Sequence, residues 1–168
     1  MAQRDISFAI ALPPGWDSID LLQADQPLIE GSVAEVLAGA ARDGEHAQLL
    51  MLRALVATAP DSEPLAAGLS VTVADSPTPV ASEPLDPDTF AGCEVSAVTL
   101  PVGGGLRVRQ IAPAPVPKGA EPLDVLRLQY LTDAPQGLLS VTFATVQAPR
   151  AGQWEQLFDA MAATSRLD

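Results

Sequence analysis

The stretch that decides the fold is LDVLRLQYLTDAPQGLLSVTFATV, residues 123–146. Two runs within it, 123–131 and 138–146, alternate in side-chain character with a period of two, which is typical of β-strands. Between them, Asp133 to Gly137 contains the proline and glycine that favour a turn. We therefore predict a β-hairpin over this stretch.

A second hairpin is predicted immediately upstream. Residues 93–102 (CEVSAVTLPV) and 106–112 (LRVRQIA) both show strand character. Three consecutive glycines, Gly103 to Gly105, lie between them and predict a flexible hairpin tip. The two hairpins together predict four strands joined by short turns, which is the connectivity of an antiparallel sheet.

Further strands are predicted over 6–12 and 69–74, where apolar residues alternate. The apolar run 47–57 fits a helix or a strand, and the turn before it and the proline after it favour a central strand. Asp61 to Ala67 is predicted to be a loop. Proline-rich segments, 75–92 and 113–122, exclude long regular structure and are predicted to be loops as well.

Two helices are predicted. Ser32 and Glu35 form a capping box, in which each side chain satisfies a free amide of the first turn, and this predicts a helix over 32–43. The chain ends in a second predicted helix, 152–166. Its apolar residues recur at helical spacing and indicate a face that packs on a core: Trp154, Leu157, Phe158, Met161 and Ala162.

These elements predict the α+β class. We expect one domain over residues 1–168, with an antiparallel sheet of about six or seven strands covered by two or more helices. A chain of this length buries enough surface to fold without a metal or a disulfide.

Composition excludes two classes of partner. The chain has 9 basic and 21 acidic residues, a formal net charge of −12, and 48% hydrophobic residues, so it is a globular domain with an acidic surface. Nucleic acids and anionic membranes require clustered basic residues, and we expect neither as a partner. Lys118 is the only lysine and asparagine is absent, which is typical of a GC-rich, actinobacterial-type genome.

The residue types that metal and nucleophile sites need are scarce. Cys93 and His46 are the only cysteine and histidine, whereas a zinc site takes three or four such ligands. We interpret Cys93 as a small buried hydrophobe and Asp86-Pro87-Asp88 as a turn with solvated acids rather than a calcium site. Glycine motifs for nucleotides and a GxSxG elbow are also missing. We predict no catalytic, cofactor-binding or metal-binding residue.

Three arginines form the candidate interaction patch. Arg107 and Arg109 share one face of their predicted strand, and Arg127 falls in the neighbouring hairpin. If all three shared one sheet face, they would form a local basic patch for an anionic ligand or an acidic segment of a partner. The alternative is a solvated face whose arginines pair with acids such as Glu94.

Motifs at the two ends of the chain resemble a known superfamily. An opening strand runs into Leu12-Pro13-Pro14-Gly15-Trp16, and the late strand from Leu138 to Thr145 is followed by a loop and an amphipathic helix with Phe158 inward. This pattern resembles the DcrB/PsbP-like superfamily, which includes Ran-binding nuclear import proteins and LpqN-type lipoproteins. The resemblance implies a PsbP-like αβα sandwich and a role in binding or assembly rather than catalysis.

The function that we expect is therefore a non-catalytic module that recognises another protein, as an accessory factor of a complex or of secretion. A homo-oligomer is a second expectation. The alternative is a small-ligand carrier or an enzyme with a pocket between sheet and helices. The apolar run 6–12 lacks the basic flank and length of a signal peptide, so we expect the cytoplasm as its location.

Overall fold

A computed structural model describes residues 6–14, 16–18, 48–56, 65–74, 92–113, 124–134 and 137–167. Its main feature is a seven-stranded sheet in which every neighbouring pair is antiparallel. The strands are β2 (Trp16–Ser18), β3 (Gln48–Val56), β4 (Leu65–Ala74), β5 (Glu94–Leu100), β6 (Gly103–Pro113), β7 (Asp124–Ala134) and β8 (Gly137–Thr145). Their order across the sheet is β2-β3-β4-β8-β7-β6-β5.

The predicted hairpin at 123–146 is confirmed as β7 and β8. It occupies the centre of the sheet, with Ala134 paired with Gly137 at the turn. The turn is shorter than predicted, because the strands continue to pair up to these two residues. Most of their apolar residues are buried, since further strands flank both of them and α1 covers one of their faces.

One helix, α1 (Ala151–Ala162), follows a 3-10 turn (Ala148–Arg150) and packs on one face of the central strands. The ring of Phe158 stacks on Phe143 of β8, with 4.7 Å between ring centroids. The core beneath the helix contains one row of side chains from each of the three strands β4, β8 and β7. Residues that pair in register have their side chains on the same face of the sheet. The row members are Leu69 and Val71, Leu139, Val141 and Phe143, and Leu126, Leu128 and Tyr130.

The helix ends earlier than the predicted 152–166. At its C-terminus the hydroxyls of Thr164 and Ser165 donate to the carbonyls of Met161 and Ala162, each over 2.6 Å. The chain then becomes extended as β9 (Arg166–Leu167) and pairs with β1 (Phe8–Ala9) in a separate two-stranded sheet. The predicted strand 6–12 is correspondingly shortened to β1, since its ladder has only two partners.

The predicted glycine tip is wrong. Leu100 pairs with Gly103, so the turn is Pro101-Val102 and all three glycines belong to β6. Gly103 has a φ of 147°, a conformation that side chains disfavour. A Cβ on Gly105 would lie 1.9 Å from the backbone oxygen of Leu131 on β7. Glycine is therefore needed here for the close approach of two strands rather than for flexibility.

The remaining predictions are confirmed in part. Residues 48–56 of the predicted strand 47–57 form β3, and β4 begins at Leu65, inside the predicted loop, because pairing with β3 extends it. The predicted helix 32–43 lies outside the described residues, as does most of the proline-rich loops. The antiparallel α+β class is thus confirmed, with one α-helix, not two or more, in the ranges that the structure describes.

Candidate functional site

Arg107 and Arg109 lie on the face of β6 that α1 covers. Arg107 pairs in register with Tyr130 of β7, and Arg109 pairs with Leu128. Two acids of α1, Glu155 and Asp159, stand four residues apart and so project from one side of the helix, above these arginines. Sheet and helix thereby bring two guanidinium groups and two carboxylates together.

The guanidinium of Arg107 holds both acids. Its Nε donates to Asp159 Oδ1 over 2.9 Å and its Nη2 to Asp159 Oδ2 over 3.2 Å, a two-point contact that fixes the orientation of both groups. The same Nη2 also donates to Glu155 Oε1 over 3.1 Å. These hydrogen bonds to Asp159, ahead of the opposing effect of burial, raise the pKa of Arg107 above its usual range.

Arg109 is held from two sides. Its Nε donates to Glu155 Oε1 over 2.8 Å, and its Nη1 lies 3.5 Å from Glu94 Oε2 on the neighbouring strand β5. The Glu155 side chain is only 17% exposed, whereas that of Glu94 is 79% exposed. The bond to Glu155 is therefore the stronger of the two, because water screens the pair with Glu94.

Tyr130 completes the cluster from below. Its buried hydroxyl donates a hydrogen bond to Asp159 Oδ1. Burial, and then the bond to Asp159, raise the pKa of Tyr130 well above its usual range, so the hydroxyl remains protonated and remains a donor. Asp159 thus accepts from both the strand β7 and the strand β6.

We call Arg107, Arg109, Glu94, Glu155 and Asp159 the ionic cluster. It contains two cations and three carboxylates, so its net charge is negative rather than positive. The arginine donors are directed at carboxylates of the chain itself, which corresponds to the sequence alternative of arginines paired with acids. The cluster attaches α1 to the sheet, and its geometry does not favour an anionic ligand at Arg107 or Arg109.

Arg127 lies on the opposite face of the sheet. It pairs in register with Gln110 of β6 and with Ala144 of β8, whereas Arg107 and Arg109 are opposite Tyr130 and Leu128. Alternate residues of a strand point to opposite faces, so Arg127 is separated from the ionic cluster by the sheet itself. The expectation of three arginines on one face holds for Arg107 and Arg109 and fails for Arg127.

Sequence reasoning did not single out Glu155, Asp159 or Tyr130. The spacing of Glu155 and Asp159 beside the apolar stripe of the helix was a usable signal, since residues four apart share a helix side. The sequence pattern does not predict where the helix lies over the sheet. That position depends on packing between residues distant in the chain.

Of the residues considered and set aside as metal ligands or nucleophiles, the structure describes only Cys93. Cys93 is partly buried just before β5, while His46 and Asp86-Pro87-Asp88 lie outside the described residues. In the described part of the chain, no three metal-ligating side chains come together. Among those same residues, no helix is both long and apolar enough to cross a membrane.

Comparison with known proteins assigns no family. Neither a protein-family model nor a curated protein matches the chain with significant similarity. The resemblance to the DcrB/PsbP-like superfamily therefore remains a prediction from the two end motifs.

Proposed function

We propose that this protein is a non-catalytic binding or assembly module that recognises another protein through the outer edge of β5. The proposal includes a DcrB/PsbP-like arrangement with two or more helices, and a location in the cytoplasm. The observation that carries it is the outer edge of β5, which no other described strand pairs with.

β5 is a seven-residue edge strand of the described sheet, and it lacks several of the features that usually protect such a strand. Among the described residues, β5 pairs only with β6, in continuous register over seven residues. Its residues Ser96, Ala97 and Thr99 are exposed, and it contains no proline, no lysine and no bulge, the features by which proteins block edge pairing. The opposite edge, β2, has only three residues. Of the two edges, β5 is therefore the better template for an added strand.

The partner that fits this edge is an extended segment carrying lysine or arginine. Glu94 stands at the start of β5 with its side chain 79% exposed, and the whole chain carries a net charge of −12. A basic residue opposite Glu94 would gain from this charge, and the overall field would attract a basic segment from a distance. Backbone pairing with β5 would supply the affinity.

A cross-linking experiment with matched charge variants tests the proposal. A photoreactive phenylalanine derivative replaces exposed Ala97, the protein is irradiated in its native host, and the cross-linked residues are mapped by mass spectrometry. We expect an extended segment with a basic residue. We also expect Glu94→Lys to reduce the cross-linking yield several-fold and to make the remaining yield less sensitive to added salt. Asp124→Lys, the same charge change at an exposed position on β7, should leave the yield unchanged.

Three outcomes would overturn this proposal. They are a lack of cross-links from position 97, equal losses with Glu94→Lys and Asp124→Lys, and cross-links only to a second copy of this chain. The last result would instead support self-association, which should strengthen with added salt because two copies of charge −12 repel each other.

The alternative is a small-ligand carrier or an enzyme with a pocket between sheet and helices, and one observation favours ligand binding, on the sheet face opposite α1. Arg127 Nε is buried without a hydrogen-bond partner. That observation neither supports nor weakens the proposed partner site at the edge of β5.

A further inference from the structure

Arg127 differs from the other two patch arginines in having a buried Nε with no acceptor among the described residues. Its Nε is buried and makes no hydrogen bond, and among the described residues no ion pair involves its guanidinium. A buried charged donor without an acceptor is costly, at roughly 1–3 kcal/mol or more. A group that accepts a hydrogen bond from this Nε would therefore lower the free energy of the site.

The strands around Arg127 supply no such acceptor with a negative charge. Its four nearest neighbours on this face are across the sheet or two residues along the strand. All four are uncharged: Gln110, Ala144, Val125 and Gln129. The amide of Gln129 is turned to Ser140, to which its Nε2 donates over 2.9 Å.

A second unpartnered donor lies on the same face. The hydroxyl of Thr142 is buried without a partner, and the residue is only 1% exposed. Thr142 pairs with Gln129 on β7, and Arg127 pairs with Ala144, so Thr142 and Arg127 are diagonal neighbours on adjacent central strands. Such neighbours are roughly 7–8 Å apart at their Cα atoms, a span that an arginine side chain bridges.

We propose that Arg127 and Thr142 bind an oxygen-rich anion, a carboxylate or phosphate group of a small molecule, on the sheet face opposite α1. One anionic oxygen accepts from the guanidinium and a second oxygen accepts from the hydroxyl. Guanidinium and hydroxyl groups both donate hydrogen bonds to carboxylate and phosphate oxygens. The planar guanidinium also matches the spacing of two such oxygens. In a desolvated site these charged hydrogen bonds are stronger than in water.

The test uses nuclear magnetic resonance of the Arg127 Nε–Hε group in the full-length protein. Inorganic phosphate is titrated in one arm and acetate in the other, at constant ionic strength. We expect a saturable shift of the Arg127 signal, and the arm with the tighter binding tells whether the group is a phosphate or a carboxylate. If the signal moves with neither anion, the proposal is overturned.

Variants separate this site from general salt effects. We expect Arg127→Gln to weaken the binding of the titrated anion by about tenfold or more, which corresponds to the loss of one charged hydrogen bond. Thr142→Val, which preserves shape, should weaken it less, and Arg150→Gln, at an exposed arginine before α1, should not change it. Equal weakening by Arg150→Gln would overturn the proposal.

A carboxylate of the chain itself is the competing acceptor. In that case, Arg127→Gln would destabilise the anion-free protein as strongly as Arg107→Gln does, because both would remove an ion pair. We expect instead that Arg127→Gln leaves the unfolding midpoint of the anion-free protein unchanged or raises it. A loss equal to that of Arg107→Gln would overturn the proposal without bearing on the β5 edge.

Discussion

Arg107 and Arg127 lie on neighbouring strands of one sheet, yet their surroundings are opposite. Arg107 contacts two carboxylates of α1 and lies beside the hydroxyl of Tyr130, whereas Arg127 has a buried Nε without an acceptor. The difference arises from the register between β6 and β7, because Arg107 pairs with Tyr130 and Arg127 lies three residues from Tyr130, on the other face. It teaches that arginines close in sequence and in space need not belong to one surface.

The largest expected effect comes from weakening the contact between α1 and the sheet, on the face that contains Arg107. Phe158 is fully buried and stacks on Phe143, so Phe158→Ala should lower the free energy of unfolding by about 3–5 kcal/mol. Urea denaturation measures this loss, with Gln156→Ala at an exposed position of α1 as the control. A loss below about 1 kcal/mol would mean that α1 is not anchored as described.

A smaller effect is expected where β6 approaches β7 beside the ionic cluster. Because a Cβ on Gly105 would collide with the Leu131 carbonyl, Gly105→Ala should cost about 1–3 kcal/mol of unfolding free energy. Gly104→Ala is the matched control, since a Cβ there meets nothing within 4 Å. Chemical denaturation of both variants provides the measurement, and equal stability of the two would contradict the register.

The comparison itself is tested by the same change on each face. Arg107→Gln should cost about 1–2 kcal/mol, a value reduced from that of a fully buried pair because its side chain is 22% exposed. Arg127→Gln should leave the stability of the anion-free protein unchanged or raise it, because it removes a buried charged donor that has no acceptor among the described residues. Thermal unfolding in low-salt buffer measures both, and added salt should narrow the difference.

The pH dependence from Tyr130 is expected to be absent at neutral pH and to appear only at high pH. Its pKa is raised in the folded state, so the unfolded chain loses the phenolic proton first as the pH rises above about 10. The stability from Tyr130 is thus present below pH 10 and is lost above it, at up to about 1.4 kcal/mol per pH unit. Urea titrations at several pH values should show this extra slope in the wild type and not in Tyr130→Phe. An identical slope in both would exclude the buried hydrogen bond to Asp159 as its source.

Local patterns predicted much of the secondary structure, and contacts between distant residues corrected it. The alternation in 123–146 correctly predicted β7 and β8, because a two-residue period is a property of the strand itself. The triple glycine misled, since its role depends on the Leu131 carbonyl of another strand. Similarly, Arg166 and Leu167 continue the helical composition of α1 but are extended where β1 offers them pairing partners.

The candidate site shows the same division. Arg107 and Arg109 share a face because they are two residues apart, and the sequence alone predicts that. Their pairing with Glu155 and Asp159 depends on how α1 packs over β6 and β7. The position of Arg127 relative to them depends on the register between β6 and β7, which a shift of one residue would reverse.

The sequence by itself determined the acidic surface charge, the antiparallel strands and the amphipathic final helix, because each follows from composition or from a local period. Only the tertiary structure decided which arginines pair with carboxylates, which one has a buried Nε without a described acceptor, and which strand lies at the outer edge of the described sheet. These properties depend on strand order, register and helix packing, which are set by the burial of side chains far apart in the chain.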